Sequence, residues 1–427
     1  MKAVPVTLSR GGHRSVIDST MPTEGPMIDT FGRVHDDLRI SVTDRCNLRC
    51  VYCMPEDGMT FLAPRSLLTF DEVVRVVAVA QGLGVRAVRL TGGEPLVRRG
   101  LHRLVGRLAG LDIDDISVTT NGILLGSAVK ELVAAGLTRV NVSCDSLRPE
   151  RFAAIRRRGE LDTVLTAMDA VESAGLPPVK VNVVLVRGVN DDEILDFAAF
   201  ARTTGRSVRF IEFMPLDAQG TWRRDQLVPG AEVLQRIANR WPIAAVESDD
   251  DRAPVERYRF ADGQGEIGVI SSVTQPFCGT CNRLRLTADG AVRNCLFSDD
   301  ELDVRAILRG GGSDDAVDQV LRRAVWGKRH RRPRFPQTRA VDVHDRRLTM
   351  PILRLFGPAR ERAGTARINL PGRDVSEVLA AAELRFGPPF TEVLAVSRVW
   401  VNGESVDADL TLAPDDEVAV LPPVSGG

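Results

Sequence analysis

Hydrophobic and polar positions alternate in short bursts along the first part of the chain, and amphipathic stretches follow them. Strands are predicted to begin near Leu38, Arg86, Asp115, Arg139, Val179 and Ser207, where apolar residues recur at every second position. Between them, Asp71–Gln81, Gly126–Ala135, Asp162–Ala174 and Asp191–Thr203 carry apolar residues at helical spacing. Thr69, just ahead of Asp71 and Glu72, offers a hydroxyl cap for the first of these helices. Strands alternating with helices imply parallel βαβ units and an α/β fold. Six such units fit a partial (β/α)6 barrel of the TIM type better than a complete eightfold one.

The alternation also assigns faces. Leu38, Ile40 and Val42 oppose Arg39, Ser41 and Thr43; Val88 and Leu90 oppose Arg89 and Thr91. Ile116 and Val118 oppose Ser117 and Thr119, Val140 and Val142 oppose Asn141 and Ser143, and Val181 and Val183 oppose Lys180 and Asn182. With the apolar faces against the helices, the lumen is lined by polar and cationic groups. Such groups need partners, so a large charged ligand is expected inside. The sixth strand, Ser207–Met214, is too mixed for its faces to be assigned.

After Trp241 the rhythm fades, and Val255–Val343 reads as short strands. From Ile352 a second pattern begins: strands at Ile352–Phe356 and Ala366–Leu370, a helix at Val375–Phe386, a strand at Arg398–Val401, a turn at Asn402-Gly403 and a strand at Glu417–Leu421. This ββαββ unit of about 75 residues is long enough to fold alone. The expected organisation is a disordered polar tail over 1–27, the barrel over 28–254, an extension and linker over 255–350, and a separate domain over 351–427.

Composition narrows the chemistry. With 56 basic and 57 acidic residues the chain offers no global field for nucleic acid. The basic run Lys328–Arg334 reads as a solvated linker. No run of eighteen apolar residues predicts a membrane span, and the first residues lack the apolar core of a signal peptide. Six of the seven cysteines fall in two tight groups, which suits metal or redox chemistry in a reducing compartment, with the cytoplasm as the expected location.

The first group, Cys46, Cys50 and Cys53, follows the first strand at the end where barrel active sites lie. Three thiolates are one short of a closed zinc site, whereas a cubane held by three thiolates keeps one iron open. Partial zinc ligation or plain buried thiols remain the alternatives. Thr91-Gly92-Gly93-Glu94-Pro95, at the end of the second strand, adds glycines where backbone could approach a ligand closely. Tyr52 lies between two of the cysteines and could pack on a cofactor. The second group, Cys278, Cys281 and Cys295, is another three-thiolate set, for which zinc with a fourth ligand stays open on spacing alone. Cys144, on the apolar face, reads as core packing, and His102, His330 and His344 lack ligand spacing.

The CxxxCxxC spacing resembles that of radical S-adenosylmethionine enzymes. Combined with CxxCx13C it resembles the GTP 3′,8-cyclases of molybdenum cofactor biosynthesis. The likeness runs over about residues 28–350, through Phe31-Gly32-Arg33, Leu38–Cys46, Leu90–Pro95, Thr119–Gly122, Asn141–Ser143 and Phe210–Pro215. The resemblance implies two 4Fe–4S clusters, one on Cys46, Cys50 and Cys53 and one on Cys278, Cys281 and Cys295. It implies a one-electron reductant and cleavage of S-adenosylmethionine to a 5′-deoxyadenosyl radical. That radical removes the ribose 3′ hydrogen of GTP, and the resulting carbon radical attacks guanine carbon-8 to give 3′,8-cyclo-dihydro-GTP. By motif, Tyr52, Gly93, Ser143 and Met214 are expected at S-adenosylmethionine. Arg39, Arg89, Thr119, Lys180, Arg283, Leu284 and Arg285 are expected at GTP.

The last domain, with Val401-Asn402-Gly403 and a Leu421–Gly427 tail, resembles the small subunit of molybdopterin synthase, a ubiquitin-like β-grasp protein. The resemblance implies that Gly427 is adenylated and thiocarboxylated, with the adenylating and sulfurating enzyme and the synthase large subunit as partners. The cyclase family's own Gly-Gly tail is replaced by Arg346–Met350, which runs on into this domain, so an altered tail contact is expected. Two other readings stand beside the fusion enzyme. One is a different radical S-adenosylmethionine enzyme with an auxiliary cluster, such as a peptide modifier. The other is an inactive barrel that only delivers the sulfur carrier.

Overall fold

The computed structural model describes residues 21–56, 61–216, 222–247, 252–297, 301–329, 351–370, 374–405, 410, 412 and 416–421. The predicted bursts of alternation fold as β1 (Asp37–Ser41), β2 (Ala87–Thr91), β3 (Asp115–Thr120), β4 (Arg139–Ser143), β5 (Lys180–Leu185) and β6 (Ser207–Glu212). Helices α1 (Phe70–Gly82), α2 (Leu101–Ala109), α3 (Leu125–Ala134), α4 (Pro149–Arg156), α5 (Leu161–Ser173) and α6 (Ile194–Thr204) connect them. The Thr69 cap forms: its hydroxyl accepts from Glu72 N at 3.1 Å, and the Glu72 carboxylate accepts from Thr69 N at 2.6 Å.

The segment after β6 adds α7 (Gly230–Ala238), β7 (Ile243–Val246), β8 (Glu256–Phe260), β9 (Glu266–Ile270), β10 (Arg283–Leu286), β11 (Ala291–Arg293), β12 (Leu302–Asp303), α8 (Arg305–Arg309) and α9 (Asp314–Trp326). Its strands join the barrel sheet on both sides, in the order β12-β11-β10-β1-β2-β3-β4-β5-β6-β9-β8-β7. β10 runs parallel to β1 and β9 parallel to β6, so they extend the six predicted strands. The βα rhythm is silent here because the hairpin β7–β8 intervenes between α7 and β9, and β10 follows a loop rather than a long helix.

Leu38, Ile40, Val88, Leu90, Ile116, Val118, Val140, Val142, Val181 and Val183 are buried in one core with the helices. The opposite faces therefore turn to the lumen. On β6, Val208 and Phe210 are buried in that core, leaving Ser207, Arg209 and Ile211 on the other side. Glu212 shares the side of Val208 and Phe210 because its buried carboxylate accepts amides from Gly230, Val273 and Thr274 at 2.7–3.0 Å. That carboxylate is what obscures the strand's pattern.

Two expectations need correction. The polar tail ends before residue 27: Met27 is buried in the barrel core, and its N–H donates to Leu83 O at 3.0 Å. Lys328 is no solvated linker residue, being only 5% exposed; residues 330–334 of that basic run lie outside the described residues.

The chain divides into two compact units, 1–340 and 341–427. The second contains β13 (Ile352–Leu355), α10 (Gly357–Ala363), β14 (Arg367–Asn369), α11 (Val375–Phe386), α12 (Pro388–Leu394), β15 (Arg398–Val401), β16 (Glu404–Ser405) and β17 (Glu417–Leu421). Its sheet order is β14-β13-β17-β15-β16, with β13 and β17 parallel at the centre and the other pairs antiparallel, the mixed sheet of a β-grasp domain. Leu353, Leu355, Val378, Phe390, Val418 and Val420 anchor its core. The expected turn is present, with Asn402 and Gly403 both at positive φ, as a two-residue hairpin demands. Short α10 and α12 and the two-residue β16 were not apparent from the pattern. The 422–427 tail and the Arg346–Met350 stretch lie outside the described residues.

Candidate functional site

The loop leaving β1 carries Cys46, Cys50 and Cys53 and is bound to two neighbours. Arg49 N and Val51 N donate to Arg156 O and Ile155 O at 3.2 and 3.0 Å, tying the loop to the end of α4. Gly93 N and Glu94 N donate to Thr43 O and Arg45 O at 2.9 and 2.8 Å, tying it to the glycine-rich loop after β2. This approach is what requires the glycines. A Cβ on Gly93 would stand 2.4 Å from Arg45 O, and one on Gly92, at φ +147°, 2.3 Å from Thr43 O.

Glu94 holds the arrangement from below. Its buried carboxylate accepts from Thr120 Oγ1 and Asn121 N, both at 2.7 Å, and from Leu96 N at 3.0 Å. Burial raises its pKa, and these donors oppose the rise. Asn121 in turn donates to Asn47 Oδ1 at 2.8 Å, inside the cysteine loop. Arg156 lies against Cys50 Sγ at 3.6 Å and is paired with Asp145 at 2.7 Å. Burial pushes the Cys50 thiol up to about 11 against the pull of Arg156.

Of the residues expected at S-adenosylmethionine, Tyr52 and Met214 meet in an apolar cluster with Phe213 and Trp222 at the barrel rim. The Tyr52 hydroxyl donates to Asp145. Gly93 follows β2 and Ser143 ends β4, beside Asn182.

The lumen below is cationic. Pairing across β10, β1 and β2 sets Arg285, Arg39 and Arg89 side by side, with Ser117 next on β3. Thr119, Asn141 and Lys180 form the next row, and Arg209 pairs with Asn182. Burial and then the neighbouring Arg89, Arg285 and Arg283 hold the Arg39 guanidinium well below its usual range, with partial relief from Asp37. Burial, Arg209, Arg139 and Arg89 push Lys180 down to about 8. Burial and like charges bring Arg209 and Arg285 to about 10. Arg39 Nε, Arg209 Nε and one terminal nitrogen of Arg283 are buried without a hydrogen-bond partner among the described residues. Buried orphaned donors on crowded cations are the features of a polyanion site.

The second cysteine group lies at the other end of the strands. β10 starts at Arg283, level with Asp37 at the start of β1, so Cys281 sits near the entry of β1 and Cys46 beyond its exit. The two groups are thus on the order of 15 Å apart along the strand direction. Cys281 and Cys295 both flank Arg285. Cys281 Sγ accepts from Arg283 Nε and Lys328 Nζ, each at 3.3 Å. Burial alone would raise its thiol, but Arg283 and Lys328 outweigh it and bring it down to about 6.

Among the described residues, no three His, Cys, Asp or Glu side chains are close enough to share one ion. A cubane asks for something different, one thiolate on each of three irons. Three cysteines on one loop, with Arg156 against one sulfur, fit such a group, and so does the second set with its two cations.

The Leu284 side chain lies in the outer core with Leu38 and Leu286, so only its backbone can reach the lumen. Sequence reasoning missed Arg209, which the register with Asn182 would have revealed. It also missed Lys328. Cys144 is fully buried in the core, as expected, and its thiol is pushed up to about 12 by burial. His102 lies against Glu131 at 3.1 Å. Among the described residues, no helix is long and apolar enough to cross a membrane.

Residues 40–201 match the Radical SAM superfamily model, 206–333 the Molybdenum Cofactor Synthesis C model and 353–427 the ThiS family model. The chain is 50% identical over 306 residues to a GTP 3′,8-cyclase of Streptomyces coelicolor, covering 71% of this chain and 90% of the relative. It is 46% identical over 326 residues to a GTP 3′,8-cyclase of Acidothermus cellulolyticus, covering 74% and 90%. Among solved structures, Streptococcus suis SuiB bound to S-adenosylmethionine aligns over 70% of this chain and 66% of its own, at 12% identity and TM-score 0.48. The small archaeal modifier protein SAMP1 of Methanosarcina acetivorans aligns over 19% of this chain and 99% of its own, at 26% identity and TM-score 0.18.

Proposed function

Because this chain belongs to the GTP 3′,8-cyclase family and carries a ThiS-family domain behind the cyclase region, we propose that it is a fused enzyme and sulfur carrier of molybdenum cofactor synthesis. Its barrel converts GTP to (8S)-3′,8-cyclo-7,8-dihydroguanosine 5′-triphosphate. The observation that carries this reading is the row of crowded cations, some with orphaned buried donors, between two sets of three thiols.

Cys46, Cys50 and Cys53 would hold one iron–sulfur group, which when bound would supply the electron for reductive cleavage of S-adenosylmethionine, and Cys278, Cys281 and Cys295 would hold a second that would supply Lewis acidity on the substrate side. The residues of the chain bind and orient. Arg39, Arg89, Lys180 and Arg209 neutralise the triphosphate, and Arg283 and Arg285 meet the nucleotide near Cys281 and Cys295. Thr119 lies in the Lys180 row and offers a hydroxyl to the same ligand. Leu284 contributes backbone only. Gly93, Ser143, Tyr52 and Met214 form the S-adenosylmethionine side, where the apolar rim cluster suits an adenine ring. A substrate held by its phosphates cannot drift from the radical source, which is the positional control the cyclisation needs.

Gly427 ends a tail that leaves β17, the strand beside β13 at the centre of the second sheet. Its carboxylate is the proposed site of adenylation and thiocarboxylation, used by the synthase large subunit.

Anaerobic incubation with a one-electron reductant, S-adenosylmethionine and GTP tests the barrel. The expected result is 5′-deoxyadenosine and cyclised nucleotide in equal amounts, with neither formed by Cys46→Ala. Absence of 5′-deoxyadenosine refutes the enzyme reading. For the carrier, mass spectrometry after treatment with the adenylating and sulfurating enzyme should show one oxygen replaced by sulfur at Gly427. An unchanged mass refutes that half.

A further inference from the structure

Among the described residues, Lys328 has a buried ammonium that forms no direct ion pair with a carboxylate. It is 5% exposed, and its Nζ lies 2.7 Å from Arg283 O and 3.3 Å from Cys281 Sγ. Around it stand the Cys281 sulfur, the Arg283 and Arg33 guanidiniums and the His35 ring, with the Asp29 carboxylate bound to both Arg33 and His35. Burying an ammonium among cations is costly unless a permanent anion faces it. Among the described residues Cys281 is the group in direct contact that can carry such a charge, and a thiolate keeps it permanently when it ligates metal.

The lysine is also rigidly mounted. It follows α9, whose Val317, Val320, Leu321, Ala324 and Val325 are buried in the barrel core, and Lys328 N donates to Val325 O at 3.0 Å. Among the described residues, the cation against the first cysteine group is differently placed. There Arg156 faces Cys50 Sγ at 3.6 Å, but Asp145 neutralises it at 2.7 Å.

We propose that Lys328 is a positioning residue of the second cysteine group: it pins the Cys281 sulfur, and its charge makes the iron–sulfur group held there easier to reduce. A fixed cation beside a ligating sulfur favours the more negative, reduced state, while the hydrogen bond restrains the ligand's orientation. The inference rests on the reading that Cys278, Cys281 and Cys295 hold a cluster, and its test keeps the two apart.

The test uses the full chain with Cys46, Cys50 and Cys53 replaced by Ala, so that only the second group can bind iron. Anaerobically reconstituted parent, Lys328→Met and Lys328→Arg proteins are compared by iron and sulfide analysis and by redox titration followed by electron paramagnetic resonance. Circular dichroism verifies that each variant is folded. The expected result is a downward shift of the midpoint potential in Lys328→Met, with a shift back toward the parent in Lys328→Arg. Loss of iron from folded Lys328→Met, with retention in Lys328→Arg, supports the pinning role equally. A fully loaded Lys328→Met with the parent's potential overturns the inference alone. A parent that binds no iron overturns the second-cluster reading, and the inference with it.

Discussion

Lys180 provides a prediction that can be worked through from the structure. Burial and the charges of Arg209, Arg139 and Arg89 bring its ammonium from an ordinary 10.5 down to about 8. Its folded value is therefore below its unfolded one. The strain of keeping it charged weighs on the fold at neutral pH and is relieved as pH rises from about 8 toward 10.5. A bound triphosphate reverses the balance, because it stabilises the ammonium and returns its pKa to the ordinary range. Binding GTP above pH 8 must then take up a proton. At pH 7 about nine-tenths of Lys180 is charged in the free protein, and at pH 9 only about one-tenth, so affinity should fall about tenfold, roughly 1.4 kcal/mol. Equilibrium dialysis of GTP against the anaerobic holoprotein at pH 7, 8 and 9 measures this directly. Lys180→Met separates the lysine from titration of the nucleotide itself, since only the lysine's share disappears in the variant. The variant should bind more weakly at pH 7 and show about tenfold less of the fall. An identical fall in both proteins refutes the assignment of Lys180 to the triphosphate.

Three further outcomes follow from the same geometry. Arg209→Met removes one crowded cation whose Nε lacks a partner, so GTP affinity should drop by about 1.5–3 kcal/mol while the ligand-free melting temperature holds or rises. A lower melting temperature with unchanged affinity contradicts this. Gly93→Ala drives a methyl into Arg45 O, and denaturant unfolding should report about 1–3 kcal/mol of lost stability together with reduced iron loading of the first group. Cys144→Ala should leave iron and sulfide content at the parent level, because that thiol is buried in the core and donates to Ser146 O at 3.3 Å; loss of iron would show that it ligates.

Much of the barrel was legible because period-two alternation and helical spacing are local signals. The faces assigned to Arg39, Arg89, Thr119, Ser143 and Lys180 needed nothing beyond the strand pleat. The sixth strand resisted because Glu212 lies on the core side, satisfied by loop amides far away in sequence, and no local pattern encodes such partners. Arg209 was hidden with it. Strands β9 and β10 escaped the barrel count because β9 is reached through the antiparallel β7–β8 hairpin and β10 follows a loop rather than a long helix. Lys328 was misread for a related reason. A basic run suggests solvent, and only tertiary packing from α9 turns its first residue onto Cys281. The glycines after β2 were legible as a close approach, but the partner in contact is the cysteine loop's own backbone.

In the proposed function, the radical generated beside Cys46, Cys50 and Cys53 acts on GTP held by the lumen cations. Turnover with GTP carrying deuterium at the ribose 3′ carbon tests it most directly. The account predicts deuterium in the 5′-deoxyadenosine recovered by mass spectrometry. Unlabelled 5′-deoxyadenosine formed alongside untouched GTP would contradict it.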